Sequence, residues 1–180
     1  MKKYNVAVVG ATGAVGETLL SILEQRNFPV DQVFALASER SAGNTVMFNN
    51  KPLMVTDLAE FDFSQAQIGL FSAGGSISAD YAPKAGEAGC VVIDNTSHFR
   101  YDDDIPLVVP EVNPGAIAQY TNRSLLTPAN RRMSSPPPYP TTATGIIETL
   151  HHISQRTLLV GGSSFWVSTL KVRGRALLSV

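Results

Sequence analysis

Asn-Val-Ala-Val-Val-Gly-Ala-Thr-Gly-Ala-Val-Gly, residues 5–16, joins an apolar run to three closely spaced glycines near the start of a 180-residue chain. Tyr4–Val9 are mostly apolar and rich in valine, which is typical of a buried parallel strand, and helical spacing begins at Val15. Gly10 would form a tight turn, and Gly13 would let a pyrophosphate approach the backbone N–H groups. Gly16 would let the helix pack closely on the strand. The stretch predicts a dinucleotide-binding turn, with a tight turn of another α/β protein as the alternative.

Apolar runs and helical patterns alternate along the next hundred residues. Strands are predicted at 33–37, 68–71, 90–93 and from 107, with a hairpin around Asn49-Asn50-Lys51 inserted after the second strand. Helices are predicted after the glycine turn and up to Gly89. This order predicts an α/β fold, a Rossmann-type, doubly wound and mostly parallel sheet.

Composition limits the classes of function. The length suits one domain, and no apolar run approaches the roughly 20 residues that span a bilayer. Without a signal-peptide pattern, we expect a cytoplasmic protein that binds no membrane. One cysteine, Cys90, excludes an internal disulfide framework, and with three histidines no metal site is expected. Cys90 begins a predicted strand, so we expect it to be a small core residue.

The distribution of charge divides the chain. Residues 1–122 carry a net charge of −7, whereas 123–180 carry +6 with Glu148 as their one acid. We therefore predict a nucleotide-binding domain over 1–122 and a separate segment over 123–180. The second is rich in Ser, Thr and Pro at first and has no clean amphipathic pattern, so we expect little order there. A nucleic-acid-binding tail is disfavoured, because its cations lack interleaved aromatic side chains.

Two further loops follow predicted strands and carry candidate ligand groups. In Ser38-Glu39-Arg40-Ser41, arginine with hydroxyl neighbours favours the 2′-phosphate of NADP, whereas Glu39 turned to the ribose would favour NAD. Asp94–Arg100 follows another strand, so we expect its polar groups to point into the nucleotide crevice. Arg100 could clamp a phosphate or carboxylate, or instead pair with Asp102–Asp104 on the surface.

Five motifs together carry a resemblance to a known family. They are Gly-Ala-Thr-Gly-Ala-Val-Gly at 10–16, Ser-Glu-Arg-Ser-Ala-Gly at 38–43, Phe-Ser-Ala-Gly-Gly at 71–75, Asp-Asn-Thr-Ser-His-Phe-Arg at 94–100 and Val-Pro-Glu-Val-Asn-Pro at 109–114. Over about residues 1–123 the chain closely resembles the NADP-binding domain of bacterial aspartate-semialdehyde dehydrogenases. These enzymes reduce aspartyl phosphate to aspartate semialdehyde with NADPH, on the route to lysine, threonine and methionine.

The resemblance implies roles for individual residues. Arg100 corresponds to the arginine that binds the substrate's phosphate. The cofactor would be NADP, with the pyrophosphate on the glycine turn, the 2′-phosphate on the second loop and the nicotinamide ribose beside the third. The implied cofactor-binding residues are Gly10, Thr12, Gly13, Ala14, Val15, Gly16, Ser38, Arg40, Ser41, Ala73 and Gly74.

The family's chemistry also needs a cysteine nucleophile in an Asn-Pro-Asn-Cys motif shortly after the position of Arg123, and a histidine from a second domain. Ser-Leu-Leu-Thr-Pro at 124–128 stands there instead, and the family's dimerisation domain has no counterpart downstream. A shifted reading frame explains this, because one choice of codons for 124–128, entered two bases later, encodes the family's Ile-Ala-Asn-Pro. We therefore expect an incomplete sheet and no turnover by this chain alone.

Two alternatives remain at this point. One is a non-catalytic module that binds NADP or pairs with a full-length homologue. The other is a relative of the acetylglutamyl-phosphate reductases, which share the chemistry, although Ser-His-Phe-Arg at 97–100 and the 109–114 motif favour the aspartate enzymes.

Overall fold

A computed structural model of the chain describes residues 2–109 and 112–128. Its strands are β1 (Tyr4–Val9), β2 (Val30–Ala37), β3 (Thr45–Phe48), β4 (Lys51–Asp57), β5 (Ile68–Phe71), β6 (Val91–Asp94), β7 (Leu107–Val108) and β8 (Leu125–Pro128). Its α-helices are α1 (Ala14–Gln25) and α2 (Gly75–Glu87), and 3-10 segments cover Glu39–Ser41, Leu58–Glu60, Phe63–Gln65 and Pro114–Asn122. Of the predicted low-order segment 123–180, residues 129–180 lie outside the described residues.

The described strands form one sheet in the order β3-β4-β2-β1-β5-β6-β8-β7. Every neighbouring pair is parallel except β3 and β4. From β1 the chain first builds outward through β2, and later returns to the other side of β1 to form β5. The Rossmann-type, doubly wound, mostly parallel sheet predicted from the sequence is confirmed, and its topological switch point lies between β1 and β5.

Apolar clusters cover both faces of the sheet. Val6 and Val8 of β1 face the cluster that contains Leu19 of α1. Ala7 and Val9 face the opposite cluster, to which α2 contributes Ala82 and Ala85. A strand buried on both sides needs apolar residues at every position, which explains why Val6–Val9 of β1 and Ile68–Phe71 of β5 are continuous apolar runs in the sequence.

The predicted hairpin is confirmed as β3 and β4. Asn49 and Asn50 form the two-residue connection with φ of 51° and 58°, values that asparagine tolerates better than most residues. Val46 of β3 and Val55 of β4 are buried in the core, so the hairpin extends the core past β2. Within the described residues no helix is long and apolar enough to cross a membrane.

The sheet extends past the predicted domain boundary at residue 122. Leu125–Pro128 form β8, which is fully buried and lies between β6 and β7. Leu125 and Leu126 enter the clusters on opposite faces of the sheet. Arg123, where the charge changes, pairs with Asp102 at 3.7 Å and Asp104 at 3.2 Å, which are part of the first segment. Two leucines at the start of the basic segment therefore pack in the same core as the first segment.

Gly86 of α2 provides a test of the docking of this segment. A Cβ at Gly86 would lie 2.7 Å from the carbonyl oxygen of Arg123, a backbone atom. We expect Gly86→Ala to lower the free energy of unfolding by about 1–3 kcal/mol because the two backbones must separate. Urea unfolding with a linear extrapolation measures the change.

The sign of this change makes the test decisive. If 123–128 were not docked, alanine would raise helix stability by about 1 kcal/mol over glycine. Gly115→Ala is the matched control, because a Cβ there would have no described atom within 4 Å. Its effect should stay within about 0.5 kcal/mol.

Candidate dinucleotide site

The glycine turn leaves the carboxyl end of β1 at the switch point. Gly10 has a φ of +86°, which favours glycine, and its N–H and that of Ala11 donate to the carbonyl oxygen of Leu36 at 2.8 and 3.1 Å. Leu36 belongs to β2, so these bonds fix the turn against the neighbouring strand. The turn therefore has a defined position above the sheet.

Two of the three glycines leave no room for a side chain. A Cβ at Gly16 would lie 2.2 Å from the carbonyl oxygen of Gly10. A Cβ at Gly10 would lie 3.0 Å from the backbone nitrogen of Ala73, in the loop after β5. The turn thus packs against its own helix on one side and against the 72–74 loop on the other, which brings two predicted site segments together.

The N-terminus of α1 opens beside this turn. Gly13 is its N-cap and supplies no side-chain hydrogen bond, while Thr12, Gly13 and Ala14 are exposed. The first N–H groups of a helix have no partner inside it, and together with the helix dipole they favour an anion. A Cβ at Gly13 would make an ordinary contact of 3.4 Å with the carbonyl oxygen of Gly10. Gly13 is therefore dispensable for packing, unlike Gly16.

The loop after β2 presents the predicted ribose-side groups. Ser38 follows the strand in an extended conformation. Glu39–Ser41 form one 3-10 turn, in which the Ser41 N–H donates to the Ser38 carbonyl oxygen at 2.8 Å. Ser38, Glu39 and Arg40 are exposed and Ser41 is half-buried. In the described part of the chain neither Glu39 nor Arg40 forms a salt bridge, so both side chains are available to a ligand.

The loop after β5 is fixed to β1 and opens α2. The N–H and Oγ of Ser72 both donate to the carbonyl oxygen of Val9, at 2.9 and 3.0 Å. Gly74 is the N-cap of α2 with a φ of +100°, and both Ala73 and Gly74 are exposed. The helix begins at Gly75, and Ser78 is buried inside it. Small exposed residues at this edge allow a flat group to approach the backbone.

Arg100 lies half-buried in the loop that follows β6. One terminal guanidinium nitrogen donates to the carbonyl oxygen of Asn95 at 3.2 Å, and Nε is shielded from solvent and has no hydrogen-bond partner in the described part of the chain. The alternative ion pair with Asp102–Asp104 is absent among residues 2–109 and 112–128, since Arg123 pairs with Asp102 and Asp104. The guanidinium retains donors for an anion.

Asp94 departs from its prediction. The sequence suggested that polar groups of 94–100 point into the crevice, but Asp94 is fully buried. Its carboxylate accepts hydrogen bonds from Ser78 Oγ and from the N–H and Oγ1 of Thr96. The hydrogen bonds between Asp94 and Thr96 could have been expected from the sequence, because Asp-x-Thr is a pattern that forms local side-chain turns. Ser78, sixteen residues earlier in the chain, carries no such signal.

Cys90 is confirmed as a core residue. It is fully buried at the start of β6, the opposite end from the crevice, and burial raises the pKa of its thiol to about 12. The thiolate is the nucleophilic form of cysteine, so this thiol is not suited to covalent chemistry.

The buried thiol makes stability fall in alkali. The raised pKa keeps the thiol neutral in the folded protein, while an unfolded thiol ionises near pH 8.5. The contribution of the Cys90 thiol to the free energy of unfolding is therefore complete below about pH 8.5. It is lost as the pH rises towards 12, at up to about 1.4 kcal/mol per pH unit. Urea unfolding at pH 7 to 10.5 should detect this slope, and Cys90→Ala should reduce it. Equal slopes in both proteins would contradict the assignment.

The sheet, the glycine turn and the uncapped helix N-terminus at the switch point define a dinucleotide-binding domain of the Rossmann type. The chain belongs to the semialdehyde dehydrogenase family, whose NAD-binding-domain model matches residues 5–120. Within that family its relatives are aspartate-semialdehyde dehydrogenases, which confirms the resemblance seen in the sequence motifs. The enzyme of Shewanella sp. (strain DB6705) is 60% identical over 129 residues, and aspartate-semialdehyde dehydrogenase 2 of Vibrio cholerae is 63% identical over 129.

A solved structure supports the same assignment. The crystal structure of Vibrio cholerae aspartate semialdehyde dehydrogenase II, complexed with ASA, is 63% identical with a TM-score of 0.70. The match covers 72% of this chain and 42% of that one. The matches to the two curated relatives include 72% of this chain and 38% of the length of each relative. The shared part is thus the dinucleotide-binding portion of a longer enzyme.

Proposed function

We propose that residues up to Pro128 form the NADP-binding domain of an aspartate-semialdehyde dehydrogenase. The observation that carries this is the close approach of the glycine turn to the 72–74 loop, beside a helix N-terminus without a side-chain cap, at the switch point of the sheet. Backbone groups of the turn would hold the pyrophosphate, Arg40 with Ser38 and Ser41 the 2′-phosphate, and Ala73 with Gly74 would lie beside the nicotinamide ribose. When bound, the cofactor supplies or accepts a hydride.

The residues present fit this group. The space a Cβ would occupy at Gly10 and Gly16 is filled by backbone, and the exposed face at Gly13 is open to a ligand. The anion would face the first N–H groups of α1, and the 2′-phosphate would meet the Arg40 guanidinium, which forms no salt bridge among the residues that the structure describes. Arg100 would hold the phosphate of aspartyl phosphate at the same edge of the sheet.

A melting curve with and without nucleotide tests the cofactor assignment. Ligand at about 100 times its dissociation constant should stabilise the folded chain by about 2.7 kcal/mol. We expect NADP to raise the melting temperature at concentrations where NAD has little effect. A melting temperature unchanged by either nucleotide would overturn the proposal.

We propose further that this chain does not turn over by itself. The family's acyl transfer begins with a thiolate, and the one cysteine in the 180 residues is buried in the core. With aspartate semialdehyde, phosphate and NADP, no NADPH absorbance should appear, while the full-length Vibrio cholerae enzyme serves as the positive control. Phosphate-dependent NADPH formation by the purified chain would contradict this.

The buried thiol also favours a second candidate, a non-catalytic module that binds NADP or pairs with a full-length homologue. Co-purification of the tagged chain with the full-length relative separates pairing from cofactor binding alone. The acetylglutamyl-phosphate reductase alternative is disfavoured, because the relatives described above at 60–63% identity are aspartate enzymes.

A further inference from the structure

Asp94 is a buried carboxylate with an unusually complete set of donors. It ends β6, is 0% exposed, and accepts Ser78 Oγ at 2.8 Å, the Thr96 N–H at 3.0 Å and Thr96 Oγ1 at 2.7 Å. Burial of a carboxylate is costly unless such bonds replace its hydration. An apolar side chain would fill the same place at lower cost, so the carboxylate calls for a specific role.

The donors come from two different elements of the crevice. Ser78 lies one turn into α2, the helix that begins at the Gly74 cap. Thr96 is the second residue of the loop that leads to Arg100, and its hydroxyl also accepts a hydrogen bond from the N–H of His98 at 3.3 Å. The Asp94 carboxylate thus joins the N-terminal part of α2 to the segment that carries the arginine.

The position of the Arg100 guanidinium depends on the backbone of this loop. Its one described side-chain bond is to the carbonyl oxygen of Asn95, the residue next to Asp94. Its own N–H donates to the Ser97 carbonyl oxygen at 3.4 Å, and the described residues provide no carboxylate partner. A shift of residues 95–97 would therefore move the guanidinium directly.

We propose that Asp94 is a positioning residue, which fixes the Asn95–Arg100 loop against α2 and thereby sets the Arg100 guanidinium at the crevice. This rests on the proposed role of Arg100 in binding the substrate's phosphate. Ser78 and Thr96 act through Asp94 from the two sides, and none of the three needs to touch the ligand.

Inorganic phosphate and NADP, titrated separately into the full chain, test the proposal. Thr96→Val keeps the shape but removes the hydroxyl, and should weaken phosphate binding about tenfold, equivalent to about 1.4 kcal/mol. Ser78→Ala should weaken it in the same direction from the helix side. Thr96→Ser retains the hydroxyl and should bind like the parent. Thr121→Val, which removes an exposed hydroxyl bonded to the Ala118 carbonyl oxygen, is the matched control.

The Arg100 side chain offers a local readout. Its Nε–H is shielded from solvent, so its amide-region NMR signal should be observable, and Arg100→Lys identifies it by its loss. Thr96→Val should shift or broaden that signal, whereas NADP affinity should stay within about twofold of the parent.

The outcomes separate this proposal from the cofactor assignment. Parent-like phosphate affinity in Thr96→Val, or an equal loss of phosphate and NADP binding, would overturn the positioning role. If Arg100→Ala binds phosphate as tightly as the parent, Arg100 does not bind phosphate, and the positioning proposal fails with that role. NADP titration of the parent reports on the cofactor site independently.

Discussion

Gly16→Ala is expected to cost about 3 kcal/mol or more of the free energy of unfolding. The added Cβ would lie 2.2 Å from the Gly10 carbonyl oxygen and 2.7 Å from Ala11 Cα, both backbone atoms of the turn at the centre of the sheet. Flexible side chains can move aside, but this turn is held to β2 by two hydrogen bonds from Gly10 and Ala11 to Leu36. The cost should therefore reach the upper end of what overpacking causes. Urea unfolding and the melting temperature both measure it.

Gly13→Ala is the matched control, because it makes the same change three residues away. Its Cβ would meet the Gly10 carbonyl oxygen at 3.4 Å, an ordinary contact, and its φ of −89° suits alanine. We expect stability within about 0.5 kcal/mol of the parent. NADP affinity should fall at least about tenfold, since the methyl group would stand where the pyrophosphate approaches the backbone. Parent-like stability in Gly16→Ala would contradict the packing geometry.

The sequence was most informative where burial demands a continuous pattern. Val6–Val9 and Ile68–Phe71 are covered on both faces, so they are uninterrupted apolar runs, and the parallel sheet followed from them. β8 was missed for the opposite reason. Its apolar signal is only Leu125 and Leu126, and the strand owes its place to neighbours far away in the sequence, β6 at Val92 and β7 at Leu107. A charge count cannot detect such pairing.

The candidate site divides along the same line. The glycine turn and the 72–74 loop could be predicted because each follows a strand, and carboxyl ends of parallel strands share one edge. Ser78 could not, because its bond to Asp94 depends on how α2 lies across β6. The prediction for residues 94–100 assumed that every polar side chain is exposed. Asp94, the first of them, is instead buried and bonded to Thr96 of the loop.

Arg40→Ala is expected to weaken NADP binding by about 10- to 100-fold, the effect of losing a charge-assisted hydrogen bond worth about 1.5–3 kcal/mol. NAD affinity should not change, because NAD lacks the 2′-phosphate. Arg40 is exposed and forms no salt bridge within the described ranges, so the free energy of unfolding without nucleotide should also stay the same. Calorimetric titration with both nucleotides measures the two affinities.

Glu39→Ala tests the neighbour that would reverse this preference. Both side chains leave the same 3-10 turn and both are exposed, so the two substitutions differ chiefly in the charge removed. If Arg40 faces the 2′-phosphate, loss of the Glu39 carboxylate should leave NADP binding unchanged or slightly tighter, since one repulsive charge is gone. If Glu39 instead accepts the ribose hydroxyls, its removal should weaken NAD while Arg40→Ala has no effect on NADP. The pair of variants thus determines which side chain faces the ribose, and with it the nucleotide that the domain prefers.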